Sequence, residues 1–182
     1  DDERVAYEAH ARRDGLEGFA FSEVHEGIRT TALRRDRYAP VYYVEPLAGN
    51  LPAVGFDLLS NASRRSALDA ATRTRAAVVT EPVTLVQETG SQRGFLVAVP
   101  IFGDKPEGEA ADPDVVGYAI GVFRIGDLVS LSLRTTKFTD FALTIDDVTD
   151  PGKPAPLYAP GQPADASAEA VGALSHARTL NV

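Results

Sequence analysis

His10, His25 and His176 are the only imidazoles in the chain, and there is no cysteine. Thiolate metal sites, disulfides and cysteine nucleophiles are therefore excluded. The three histidines lie far apart, outside any metal-ligand or nucleophile-activating pattern, and read as surface or structural residues. No GxSxG, GxxxxGK[ST] or GxGxxG motif occurs. Asp146 and Asp147 follow an alternating apolar segment and suggest metal or acid–base work. Paired acids at a strand end are more often solvated turn residues. A small hydrolase built on this pair, with a cleft at that strand end, is the weakest reading of the sequence.

Polar groups placed among apolar ones point to binding instead. Asp57 sits between Phe56 and Leu58, where a partly buried carboxylate must find hydrogen-bond donors. Those donors belong either to a ligand or to the backbone of the turn before Asn61, which Asp57 then caps. Thr89 closes the apolar segment 83–88 and offers a hydroxyl, or simply hairpin chemistry. Tyr42 and Tyr43 are adjacent and, in a strand, point to opposite faces, so one at most lines a pocket. Glu45, before Pro46, reads as structural.

The elements that must position these groups alternate irregularly. Residues 2–14 have Val5, Ala6 and Ala9 on one side, acids leading and Arg12 and Arg13 trailing, which predicts a helix ended at Gly15. Phe19 and Phe21 alternate with small residues as a strand does. A turn at 25–27 leads to a second strand over 28–33, and residues 34–37 form a charged loop. Residues 38–47, rich in Val and Tyr, predict a strand with Pro40 and Pro46 at its ends or edge. Asn61 caps a helix reaching about Arg75, with Ala67, Leu68 and Ala71 as its apolar stripe. Strands follow over 83–88, 94–102 and 115–123. The last two are almost continuously apolar, which predicts burial of both faces. Residues 103–113 between them form a polar excursion, read as a mobile hairpin loop. A short helix over 125–133 and a strand over 141–145 come next. The proline-rich stretch 150–163 admits only a short edge strand at Leu157 and Tyr158. Residues 174–182 form a closing strand. This order defines an α+β fold rather than alternating βα units.

Composition bounds the function. Net charge is −8 over 182 residues, which disfavours nucleic acid and anionic lipid as partners. No apolar run approaches the length of a membrane helix, and no secretory signal stands at the front. The chain starts at Asp1 and contains no Met, so it is expected to be a segment whose anchors lie elsewhere.

An ordered set of motifs runs through the middle of the chain: Tyr38-Ala39-Pro40-Val41, Glu45-Pro46, Gly49-Asn50, Gly55-Phe56-Asp57-Leu58, Arg64 or Arg65 with Ala67 and Ala71, Thr80-Glu81-Pro82, Leu85-Val86-Gln87-Glu88-Thr89, Gly94-Phe95-Leu96, Val99-Pro100-Ile101-Phe102 and Gly117-Tyr118. Spanning about Tyr38 to Leu128, this set resembles the CHASE domain, a sensor module found outside the membrane in bacterial and plant receptors such as the plant cytokinin receptors. The resemblance implies two PAS-like subdomains with antiparallel sheets, preceded by a long stalk helix largely missing from this chain. Residues 1–126 correspond to a membrane-distal ligand-binding subdomain and 127–182 to a membrane-proximal one. By position, Asp57 matches a carboxylate that bonds the ligand's polar edge, Val79 a backbone contact, and Thr89 a hydroxyl contact. Tyr118 and Gly121 are expected on the sheet floor, where a small residue leaves room.

The function implied is that of an extracytoplasmic ligand-binding sensor, not an enzyme and without a cofactor. Membrane helices outside this chain would connect it to a histidine kinase or diguanylate cyclase. The ligand class is adenine-type or another small organic molecule, and dimerisation through the stalk helix is expected. The rival reading is a protein-interaction module of a membrane receptor without a small-molecule pocket, which a large exposed apolar patch would favour.

Overall fold

The computed structural model describes residues 2–84, 93–104, 112–134, 143–148, 150, 152–159 and 178–179, and the statements that follow concern these residues. The chain divides into two units, Asp1–Lys137 and Phe138–Val182. Three α-helices and antiparallel sheets make up the α+β architecture.

The first unit opens with α1, Asp2–Arg13. Acids at its start and basic residues at its end complement the helix dipole. Its charged side chains also hold the next element. Arg4 donates to the Ala32 carbonyl at 2.9 Å and to Glu8 at 3.0 Å, and Glu8 accepts the Phe21 N–H at 2.9 Å. The hairpin so clamped pairs β1, Ser22–His25, with β2, Ile28–Thr31. Its turn residues Glu26 and Gly27 both have positive φ (51° and 79°), as a tight two-residue hairpin turn requires. Phe19 and Phe21 precede β1 and form an aromatic core with Ala11 and Ala32, against which Tyr38 and Tyr42 pack. Arg4 lies over the rings of Phe21 and Tyr38 at 5.2 and 5.4 Å.

Residues 38–47 form no strand, contrary to the expectation from their Val and Tyr content. Their backbone pairs over only a few residues. Val41 donates to Phe56 O at 2.9 Å, Gly55 donates to Val41 O at 2.8 Å, and Leu58 donates to Ala39 O at 3.0 Å. Single bridges link Pro40 to Asp57 and Ser22 to Phe56. Segment 55–58 is thus held between β1 on one side and residues 39–41 on the other.

The second core forms around α2, Ala62–Thr74. Asn61 Oδ1 accepts the Arg64 N–H at 3.1 Å and caps the helix, while Ala67, Leu68 and Ala71 are buried. This stripe packs with Phe56, Leu58 and Leu59 against Leu96 and Ala98 of the sheet. The sheet centres on β5, Arg93–Phe102, paired antiparallel with β6, Val115–Arg124, and flanked by β3, Val78–Val79, and β4, Val83–Thr84. Only one face of β5 is fully covered: Gly94, Leu96, Ala98 and Pro100 are buried, whereas Val99 and Ile101 are 43% and 46% exposed. The two-sided burial expected from the apolar run is therefore not found. The sheet is covered by α2 on its inner face, and apolar residues stand in the open on its outer one. Helix α3, Ile125–Arg134, follows β6 directly and buries Ile125 and Val129.

In the second unit, β7, Ile145–Asp147, pairs antiparallel with β8, Ala155–Tyr158. The expected edge strand at Leu157 and Tyr158 is thus present. The predicted strands over 83–88, 141–145 and 174–182 and the loop 103–113 lie partly or largely outside the described residues.

Gly55 is the residue on which the first unit's junction turns. Its φ is +79°, and a Cβ there would overlap the Ala20 carbonyl oxygen. Gly55→Ala would combine backbone strain with a clash against main chain. It is expected to cost at least about 2 kcal/mol of stability, measured as a lowered urea midpoint with an unchanged slope.

Candidate functional site

The pairing of residues 39–41 with 55–58 leaves 42–46 to run free of the sheet and face it across a gap. That gap is a cleft of about 1360 Å³ within the first unit. Leu96 of β5 and Tyr118, Ile120 and Val122 of β6 form one wall. These β6 residues alternate along the strand, so they share the inner face. Phe56, Leu58, Leu59 and Arg64 close the inner end. Residues 38–46 form the opposite wall, Leu128 and Leu131 of α3 stand at one rim, and Tyr7, His10 and Asp14 of α1 at another. The walls are mostly apolar with a few placed polar groups, as small-molecule sites are.

Tyr118 stands in this wall as expected. Its hydroxyl lies 2.6 Å from Thr72 Oγ1, which itself bonds the Leu68 carbonyl at 2.9 Å. With the Thr72 proton given to Leu68, the Tyr118 hydroxyl donates to Thr72 and ties the wall to α2.

Asp57 is fully buried and absent from the cleft lining. Its donors come from the protein. Oδ1 accepts Ala39 N–H at 2.8 Å and Leu59 N–H at 3.1 Å, and Oδ2 pairs with Arg35 Nη1. It caps the 3₁₀ turn Leu58–Ser60, which is the alternative the sequence left open for it. Arg35 also pairs with the nearly buried Glu23. Burial opposes the Arg35 charge, but hydrogen bonds to Glu23 and Asp57 outweigh it and hold its pKa above the ordinary value.

Val79 and Gly121 are not among the cleft residues. Both pair with Val97 of β5, one from each side, which puts all three on the outer face. Gly121 and Tyr118 are three residues apart on one strand and so point to opposite faces. The missing side chain of Gly121 makes room for the Phe123 ring: an added Cβ would lie 2.9 Å from it. Thr89 lies outside the described residues. Tyr42 and Tyr43 both line the cleft, because the segment is not a pleated strand. Tyr42 donates to Asp14 Oδ2 at 2.5 Å, and this bond pushes the phenol up to about 12, so Tyr42 is a neutral donor at the rim.

Sequence reasoning quoted Arg64 only as a motif position. It is 5% exposed, lines the cleft, and lies over the Phe56 ring at 5.2 Å. Burial pushes its pKa down. The sequence carries only a partial signal: a basic residue in the first turn of a helix opposes the helix dipole, but Arg64 and Arg65 share it equally.

His10 sits at the rim, 3.5 Å from Asp14, and is largely exposed. His25 ends β1, and His176 lies outside the described residues. Asp146 and Asp147 belong to β7 in the second unit, whereas the cleft belongs to the first. Among the described residues, no cluster of His, Asp and Glu could hold a metal, and no helix is long and apolar enough to cross a membrane.

The arrangement is that of an α+β binding domain: a cleft with apolar walls, enclosed by a sheet, a helix and an irregular covering segment. A family model for the CHASE domain matches residues 1–158. The chain belongs to the CHASE domain family, whose members are extracellular sensor domains of signalling receptors. No curated protein matches it.

Two outcomes are expected from the charge network around the cleft. Asp57→Ala removes three hydrogen bonds and deprives Arg35 of one partner, and should cost about 3 kcal/mol or more in urea unfolding. Adding Arg35→Met should recover part of that loss. Burial alone would raise the Glu8 pKa, but the Phe21 N–H and Arg4 outweigh it and hold the carboxyl below its ordinary 4.5. A depressed folded pKa gives stability that is full above the unfolded value and lost as pH falls through the folded one. Glu8→Gln should therefore flatten the fall in melting temperature below about pH 4.5 relative to wild type.

Proposed function

We propose that this chain is the extracytoplasmic ligand-binding sensor domain of a transmembrane receptor, and that a small organic molecule binds in the cleft between residues 38–46 and the inner face of β5 and β6. The observation that supports this most is the cleft itself, apolar-walled and open to solvent, in a member of a sensor family. In this reading, residues 1–126 and 127–182 correspond to the distal and proximal PAS-like subdomains, preceded in the full receptor by the stalk helix that mediates dimerisation. Membrane helices outside the chain connect it to a histidine kinase or diguanylate cyclase output.

The two long walls share the core under α2, where Ala39 and Val41 pack together with Tyr118 and Ile120, while Tyr38 and Tyr42 tie the covering segment to the aromatic core with α1 as well. A ligand touching both walls favours the state in which they are closest, and it shifts that equilibrium by its differential affinity. Motion of the covering segment reaches α1 through Tyr42 and Asp14.

The test is a thermal melt against purines, amino acids, short carboxylates and aromatic amines. A ligand at about 100 times its dissociation constant stabilises by about 2.7 kcal/mol, a shift of several degrees. Val122 is 47% exposed and lines the cleft, so Val122→Trp adds bulk inside it with little strain. The shift should appear in wild type and vanish in Val122→Trp. A shift of equal size in both would place the ligand elsewhere, and no shift with any compound would count against the sensor reading.

The outer sheet face supports the rival reading. Val79 and Val99 share that face and are each more than 40% exposed. A protein-interaction module would use this face, and Val99→Lys would then abolish partner binding without affecting ligand melts.

A further inference from the structure

Two hydroxyls set the polarity of one point in the sheet wall. Thr72 lies on α2 and Tyr118 on β6, and their oxygens are 2.6 Å apart. Thr72 Oγ1 is also 2.9 Å from the Leu68 carbonyl oxygen. A carbonyl oxygen only accepts, and a threonine hydroxyl carries one hydrogen. That hydrogen therefore belongs to the bond with Leu68, the ordinary back-bond of a helical threonine to the carbonyl four residues earlier. The hydrogen between the two hydroxyls is then the phenol's, and it points toward α2. The chain of bonds runs from Tyr118 through Thr72 to Leu68 and ends on a main-chain acceptor held by the helix.

What Tyr118 has left for the cleft is an oxygen lone pair. Its ring belongs to the cleft wall, and its bond to Thr72 is only partly buried. Among the described residues, no protein group donates to this oxygen. Ile120, the next residue on the same face, and Pro100, its partner on β5, are apolar. Without a ligand, water supplies the donor. A ligand that displaces this water must bring its own donor or leave the oxygen unsatisfied. Giving its proton to Thr72 also makes the phenol oxygen a better acceptor, because bonds in a chain polarise one another. The opposite wall repeats the pattern. Tyr42 gives its proton to Asp14 at 2.5 Å, so this phenol too has only lone pairs left for a ligand.

We infer that Tyr118 Oη is a hydrogen-bond acceptor for the ligand, held in that role by Thr72, and that the ligand of this cleft carries an N–H or O–H donor on an apolar or aromatic body. The body lies against Ile120 and Val122, and the donor meets the Tyr118 oxygen. Thr72 is a positioning residue. It does not line the cleft, and it acts by fixing the direction of the phenol proton. This rests on the reading of the cleft as the sensor site and adds the ligand's class.

The experiment pairs each donor with an isostere that lacks the hydrogen: indole with benzofuran, phenol with fluorobenzene, and 2-naphthol with 2-fluoronaphthalene. Acetophenone, which only accepts, completes the set, and binding is followed by ligand-observed NMR titration. At least one donor should bind wild type while its isostere binds roughly 3- to 10-fold more weakly, the worth of a neutral hydrogen bond. Tyr118→Phe, shown first to melt cooperatively, should lose that preference. Thr72→Val keeps the shape but releases the phenol proton to the cleft. It should shrink the preference for donors and strengthen acetophenone binding by a similar factor, a change that a merely structural role for Thr72 would not produce. The comparison of donors with isosteres on wild type stands even if a variant fails to fold. Isosteres that bind as well as their donors, or a preference unchanged in Tyr118→Phe or in Thr72→Val, would overturn the acceptor site. If donors and isosteres bind equally and Val122→Trp abolishes both, the acceptor site is overturned and the sensor cleft stands. If no compound of either kind binds, both fail.

Discussion

The first unit is organised around one buried charge. Asp57 is fully withdrawn from solvent, and a bare carboxylate in that position would cost several kcal/mol. The cost is offset by two backbone N–H groups and a guanidinium. The donors come from different parts of the chain: Ala39 from the covering segment, Leu59 from the turn before α2, and Arg35 from the loop that also reaches Glu23 on β1. Satisfying one carboxylate therefore fixes three segments relative to one another. The cleft exists because residues 38–41 are pinned at this point while the chain beyond them is turned toward the sheet.

The network also divides the labour of the charges near the cleft. Arg35 and Asp57 neutralise each other within the fold and contribute architecture. Arg4 and Glu8 do the same for α1 and the first hairpin. Arg64 is more deeply buried than either Arg4 or Arg35 and lies on the cleft surface. A buried ion pair is weak evidence for stability and better evidence for a fixed geometry, and here the fixed geometry is that of a wall.

Much of this was legible in the sequence, because much of it is local. The helices α1, α2 and α3, the turn at Glu26 and Gly27, the Asn61 cap and the two long strands all follow from short-range periodicity and capping. Residues 38–47 were read as a strand because Val and Tyr favour pleated surfaces. Only tertiary pairing with 55–58 decides how far a ladder extends, and here it stops at Val41. The need of Asp57 for donors was also legible, but whether protein or ligand supplies them depends on contacts 18 to 22 residues away. The separation of Tyr118 from Gly121 was readable from strand parity alone. The place of Arg64 was not, since two adjacent arginines at a helix start look alike until a fold decides which one turns inward.

Residues 42–46 line the cleft and take no part in a ladder. Tyr42 packs on the aromatic core and bonds Asp14, but substitutions at Tyr43, Val44 and Glu45 leave the sheet ladder and the Asp57 junction without a changed partner. The scaffold thus carries a stretch of chain on which selection can act almost without regard to folding. New ligand preferences can accumulate in Tyr43, Val44 and Glu45 while the residues that hold the domain together stay constant. A family built on such a plan can diversify what it detects faster than it diversifies in shape.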